Sequence, residues 1–168
     1  MKKNLALVGM MGCGKTTVAK ELSIILPEMA HVDADDEIEK SAGKKISEIF
    51  LKFGEAYFRM LENEKIKKIF SADNQIVSLG GGAFENEENR KIILENANVI
   101  YLKTSADEIF KRIKNEFHRP LLAKNFSVDR ISDIMTKREP NYKKADYTII
   151  TDNKTPEEIA KEILGVIK

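Results

Sequence analysis

The chain has 168 residues, room for one domain of ordinary size and not for two independent cores, and its 42% apolar content excludes disorder throughout. The 28 Lys and Arg against 27 Asp and Glu leave a formal charge of +1, which excludes a general field for capturing nucleic acid or an anionic membrane. Any anionic ligand has to be caught locally.

In chain order, Lys2-Lys3 and the apolar stretch from Leu5 to Cys13 superficially resemble a secretion leader. The stretch is short, interrupted by glycine and followed at once by Lys15, so it reads instead as a strand, Leu5 to Val8, entering a loop. No apolar run approaches the roughly 20 residues of a membrane-spanning helix. Val18, Leu22, Ile25 and Leu26 carry helical spacing, and His31-Val32 forms a short strand before Asp33. Asp33 to Phe70 is mostly helical, with Phe50, Phe53 and Phe58 expected in the core, although Phe50 and Phe58 also suit the wall of an acceptor pocket. Further strands are Ile76 to Leu79, Val99 to Leu102 and Tyr147 to Ile150, with a helical segment around Ile92, Ile93 and Leu94. Ser105-Ala106-Asp107-Glu108 and Thr155-Pro156-Glu157-Glu158 have the pattern of capping boxes, the second with proline where its missing N–H costs nothing. The last helix buries Ile159, Ala160, Ile163, Leu164 and Ile167.

Strands alternating with helices define an α/β fold with a parallel sheet and right-handed crossovers. The stretches Asp33 to Phe70 and Phe117 to Tyr142 are too long for ordinary connections and are read as insertions on the ligand side of the sheet. The lysine pairs at 2–3, 44–45, 67–68 and 143–144 are read as solvated faces. Cys13, the single cysteine, excludes an intramolecular disulfide and suits a reducing cytoplasm.

Gly9-Met10-Met11-Gly12-Cys13-Gly14-Lys15-Thr16 matches G-x-x-x-x-G-K-[ST] between a strand and a helix. Its glycines let the backbone curl so that successive N–H groups face phosphate oxygens, and the helix adds its positive end. Lys15 puts charge on the terminal phosphates, and the Thr16 hydroxyl is suited to Mg²⁺. This points to a nucleoside triphosphate without choosing between kinase, GTPase and ATPase. Cys13 is read as a small loop-filling residue, with the side expectation that a thiol reagent blocks activity and ATP protects.

The acceptor side decides the reaction. Asp33 and Asp35 follow the second strand, where open α/β sheets bind ligands. Asp33 is suited to Mg²⁺ or its waters, and Asp35 to activating a substrate hydroxyl. A helix N-cap with an acidic first turn explains the same residues equally well. Arg59 and Glu62 are helical neighbours, either a solvated ion pair or a guanidinium held for a substrate carboxylate. Gly80-Gly81-Gly82 ends a strand, either as a flexible turn or as a place where a ligand approaches the backbone. Arg119 and Arg138 lie in the second insertion, where a lid would bring positive charge to a transferring phosphoryl group. The two histidines, His31 and His118, are read as strand packing and surface.

Together, the phosphate loop, Asp-x-Asp, Phe-Arg-x-x-Glu, the glycine triplet, Arg119-Pro120-Leu121-Leu122, and Arg138 before Pro140 and Tyr142 resemble shikimate kinase, in the nucleoside-monophosphate-kinase-like group of P-loop proteins. The resemblance spans nearly the whole chain. It implies a three-layer fold with a five-stranded parallel sheet flanked by helices, in a single domain over 1–168 with a substrate-binding region at 33–62 and a lid at 115–126. It also implies transfer of phosphate from ATP to the 3-hydroxyl of shikimate, with Mg²⁺, in the cytoplasm, by a monomer with small-molecule partners. By position, Lys15, Asp35 and Arg119 would be catalytic, with Asp35 positioning or deprotonating the hydroxyl and the two cations on the γ-phosphate. Gly12, Cys13, Gly14, Lys15, Thr16 and Thr17 would hold the nucleotide phosphates, Thr16 and Asp33 the metal, and Arg112 and Pro156 the adenine. Asp35, Arg59, Arg138 and Gly80, Gly81 and Gly82 would hold shikimate, the two arginines on its carboxylate. The acid motif here reads Asp-Ala-Asp where Asp-Thr-Asp is commoner in the family, and Asn115 to His118 lacks the glycines of many lids. A gluconate kinase of the same fold is the alternative enzyme, and a nucleotide switch with an exposed apolar patch, which the sequence does not display, is the alternative of a different class.

Overall fold

The computed structural model describes residues 2–114 and 127–167. Arg119, His118 and the whole lid region at 115–126 lie outside the described residues. Five strands, β1 (Asn4–Val8), β2 (Ala30–Asp33), β3 (Gln75–Ser78), β4 (Ala97–Lys103) and β5 (Tyr147–Ile150), form one parallel sheet in the order β2-β3-β1-β4-β5. Every strand core named from the sequence is present.

The period of two along β1 sorts the core. Leu5 and Leu7 face one side, where α1 (Lys15–Ile25) and α7 (Pro156–Val166) bring Val18, Leu22, Ile159 and Ile163. Ala6 and Val8 face the other, against Ile66, Phe70 and Ile93 from α3 (Ile46–Ile69) with its C-cap and from α4 (Glu87–Asn96). Burial on both faces is why the inner strands β1, β3 and β4 read as apolar runs, while the edge strands β2 and β5 are partly exposed.

The first long stretch folds into α2 (Ala34–Ala42) and α3, and the second supplies α6 (Val128–Tyr142) after α5 (Ala106–Ile113). α3 is two helical pieces joined at Gly54, whose φ of +83° and ψ of 173° break the helix. That bend brings Phe50 and Phe58 together, with ring centroids 4.8 Å apart. It also turns one side of α3 to solvent: Leu51 is 86% exposed, and Phe53, Tyr57 and Met60 are exposed with it. Phe53 is therefore not a core residue. An apolar patch invisible in the sequence exists because, among the described residues, α3 packs mainly on α2 and α4, which leaves this side of it uncovered.

Thr155 and Glu158 form the expected capping box at the start of α7. Ser105 makes only half of one: its hydroxyl accepts from the Glu108 N–H, while its own N–H donates to Asp152 Oδ1 at 2.9 Å. Among the described residues no helix is long and apolar enough to cross a membrane.

Candidate active site

The order of the strands places the switch in direction at β1, so the crevice lies beyond its carboxyl end. There Gly9, Gly12 and Gly14 turn the chain at φ of +146°, +78° and +95°. A Cβ on Gly12 would lie 2.6 Å from Ile113 Cγ2, so α5 closes the loop from behind. Gly14 caps α1 with no side chain, leaving the first N–H groups of the helix to the crevice. Each of α2 to α7 carries at least one carboxylate in its first turn, and α1 carries none. Its positive end is uncompensated by its own sequence and suits an external anion. Lys15 Nζ spans the loop, donating to the Gly9 and Met10 carbonyls at 2.9 and 3.0 Å. Arg112, held by Glu108 at 2.9 Å, donates to the Cys13 carbonyl at 3.1 Å. The Cys13 side chain is fully buried among Leu5, Leu7 and Val18. A thiol reagent meets no exposed sulfur there, which corrects the expectation of ATP-protected modification.

Asp33 is the N-cap of α2, and its second carboxylate oxygen faces the phosphate loop. Oδ1 caps α2, accepting from the Asp35 and Asp36 N–H groups at 3.1 and 3.3 Å, while Oδ2 accepts from the Thr16 hydroxyl at 2.7 Å. Adjacent ligands of an octahedral Mg²⁺ lie about 2.9 Å apart, so these two oxygens converge as such an ion requires. No group of three or more His, Cys, Asp or Glu side chains suited to a metal occurs among the described residues.

The glycine triplet is a close-approach site rather than a flexible turn. A Cβ on Gly80 would lie 2.7 Å from Asp35 Oδ1, one on Gly81 3.3 Å from Arg138 Nη1, and one on Gly82 2.7 Å from Arg59 Nη2. Any side chain would displace the three groups that face this strand exit. Arg59 donates to Glu62 at 2.8 Å and more weakly to Glu55 at 3.4 Å. Glu62 is 2% exposed. Burial pushes its pKa above the usual carboxylate range, and the nearby Arg59 charge pulls against that rise. Tyr142 donates to the Gly81 carbonyl and stacks on Tyr101, tying the end of α6 to the triplet. Burial raises the pKa of the Tyr142 hydroxyl, and that of Tyr101 is pushed up to about 12 for the same reason, so both remain donors at neutral pH. Arg138 Nη1 is buried with no hydrogen-bond partner among the described residues.

One cavity of about 880 Å³ brings together Gly12, Gly14, Lys15, Thr16, Thr17, Asp33, Asp35, Arg59, Gly80, Gly81, Gly82, Arg112 and Arg138. Cys13, and Pro156 at the start of α7, are not part of its wall. Phe50 and Phe58 line it. So do Glu39, Lys45 and Ser47, to which no motif points. Lys45 is exposed, as expected of a solvated lysine pair, and Glu39 binds both its Nζ at 2.7 Å and the Ile46 N–H at 3.0 Å, fixing the turn into α3 at the cavity edge. These three residues are spread over α2, the turn and the start of α3 and follow no sequence period, so only the fold reveals them.

A phosphate loop and a second, carboxylate-and-arginine pocket sharing one cavity belong to the P-loop kinases of small molecules. A family model described as shikimate kinase matches residues 11–168. The shikimate kinase of Persephonella marina is 44% identical over 166 residues, covering 99% of each chain, and that of Thermodesulfovibrio yellowstonii 43% over 162 residues, covering 96% of this chain and 93% of its own. A solved shikimate kinase from Acinetobacter baumannii in complex with shikimate superposes with a TM-score of 0.94 at 34% identity, covering 99% of this chain and 93% of that one. The chain belongs to the shikimate kinase family, and it is a kinase.

Proposed function

We propose that the chain transfers the γ-phosphoryl group of ATP to the 3-hydroxyl of shikimate, giving ADP and 3-phosphoshikimate on the route to chorismate and the aromatic amino acids. The observation that carries this is the convergence of Asp35, Arg59 and Arg138 on Gly80 to Gly82, facing the phosphate loop within one cavity. Family membership and a relative at 34% identity solved with shikimate support it.

In this reading the α1 N-terminus, Gly12 to Gly14 and Thr17 hold the phosphates, and Lys15 Nζ moves from the loop carbonyls to the γ-phosphate. Arg59 and Arg138 hold the carboxylate. Asp35 accepts from the 3-hydroxyl and takes its proton as the oxygen attacks. Arg112 supports the nucleotide from the Cys13 side, Pro156 is the weaker candidate for the adenine because it stands outside the cavity wall, and Arg119 is the second γ-phosphate cation. Thr16 and Asp33 would hold Mg²⁺, which when bound neutralises charge on the β- and γ-phosphates. The enzyme is read as a monomer, and its lone buried cysteine, which needs no oxidising compartment, suits the cytoplasm.

A coupled ADP-release assay with shikimate, gluconate and AMP as acceptors tests the proposal. Release dependent on shikimate alone is expected, and release with gluconate or AMP but not shikimate would overturn it.

Arg59→Ala and Arg138→Ala should each raise the KM for shikimate about 10- to 100-fold, the loss of a charge-assisted contact, with the KM for ATP unchanged. Arg59→Ala has a second consequence. It leaves Glu62 buried without its cation, raising the folded-state pKa further. The folded state then holds a proton that the unfolded chain releases, so stability is highest below the ordinary carboxylate pKa and falls as pH rises through the raised one. Thermal melts from pH 5 to 8 should show the gap between variant and unaltered chain widening with pH; a constant gap would show that Glu62 does not titrate in this range.

A further inference from the structure

Beside the acceptor pocket, and sharing Arg59, Gly82 and Arg138 with it, lies a second recess of about 400 Å³. Its outer wall is one face of α6, where Arg130, Ile134, Lys137 and Arg138 stand four, three and one residues apart along the helix. Four cations, Arg59, Arg130, Lys137 and Arg138, line it against two carboxylates, Glu55 and Glu85. Glu55 accepts from Arg59, and Glu85 Oε2 accepts from Asn141 at 3.2 Å, which leaves Glu85 Oε1 as the one oxygen of that carboxylate without a hydrogen bond among the described residues. Arg130 and Lys137 make no ion pair among the described residues.

We propose that this recess is an outer station for the acceptor, in which Arg130 and Lys137 take the substrate carboxylate before it passes to Arg59 and Arg138. The inference rests on the acceptor being an anionic polyol, as the proposed function holds. Two further observations fit a hydroxylated carboxylate rather than a simple anion. Glu85 Oε1 is buried with no hydrogen-bond partner among the described residues, an acceptor suited to a substrate hydroxyl and hostile to a bare phosphate. Arg138 Nη1 is likewise buried with no hydrogen-bond partner among the described residues, and Arg138 lines both pockets whereas Glu85 lines the outer one. An anion moving inward along α6 exchanges one cation for the next, and low-dielectric walls focus their field at the mouth. Such focusing raises association rates about 10- to 1,000-fold and fades as salt is added. The overall charge of +1 gives no such attraction by itself.

The test is the double variant Arg130→Glu/Lys137→Glu, assayed with shikimate and saturating ATP at ionic strengths of about 0.02 and about 0.5 M, where the screening length falls from about 20 Å to about 4 Å. At low salt kcat/KM for shikimate should fall about 10-fold or more, with the loss in KM rather than kcat, and the gap from the unaltered chain should close at high salt. A merely structural role would give a gap independent of salt, and the conservative pair Arg130→Lys/Lys137→Arg, which keeps both charges, should behave as the unaltered chain. Intact turnover with an unchanged kcat/KM and salt slope in the charge-reversed variant would overturn the outer station alone. Absence of shikimate turnover in the unaltered chain would overturn the proposed function, and the station with it.

Discussion

Lys15→Met should lower kcat by about 1,000-fold or more while the chain remains folded, because in phosphoryl transfer the protein contributes mainly position and charge. Lys15 is the cation that the described residues place at the mouth of the loop, with Nζ held 2.9 and 3.0 Å from two loop carbonyls. Those contacts keep the ammonium group at the loop, and in the proposed function it leaves them for the incoming γ-phosphate. Methionine preserves the length of the stem and removes the charge. Replacing a part-buried lysine whose partners are two loop carbonyls should leave the melting temperature within a few degrees of the unaltered chain. A kcat reduced less than about 10-fold, with the fold intact, would show that the charge is supplied elsewhere.

Asp35→Asn should cost about 100- to 10,000-fold in kcat, the range for removing a positioned general base, with little change in the KM for ATP. The residue is held through both its backbone and its side chain. Its backbone N–H is bonded to Asp33 Oδ1 at 3.1 Å, and its carboxylate packs on Gly80, where a Cβ would come within 2.7 Å of Oδ1. Asparagine keeps the shape and loses the ability to take a proton. If the variant retains kcat and only raises the KM for shikimate, Asp35 is a binding residue and proton removal lies with another group.

Lys15 and Asp35 differ in how legible they are in the amino-acid sequence. The motif around Lys15 is contiguous, since a phosphate loop is built by one turn of backbone, and its glycines and lysine must stand at fixed spacing. The strands are equally plain, because burial on both faces of a parallel sheet writes itself as an apolar run. Asp35, Arg59 and Arg138 are separated in sequence and carry no such pattern. Only the order of several weak motifs points to them, and the packing against Gly80, Gly81 and Gly82 supplies the physical link between them. What stays hidden depends on the path of the chain. Phe53, expected in the core, is exposed beside the break at Gly54, and Lys45 stands at the cavity edge where Glu39 binds it. Asn141 bonding Glu85 across 56 positions joins α6 to the loop after the glycine triplet, a contact that no local rule foresees.

Transfer of a phosphoryl group from ATP to one particular hydroxyl of shikimate is read most directly by NMR of the product after exhaustive reaction, through coupling between phosphorus and the ring proton on the phosphorylated carbon. A single phosphomonoester on C3, formed in equal amount with ADP, is the expected result. Inorganic phosphate alone, or phosphate on C4 or C5, would contradict it.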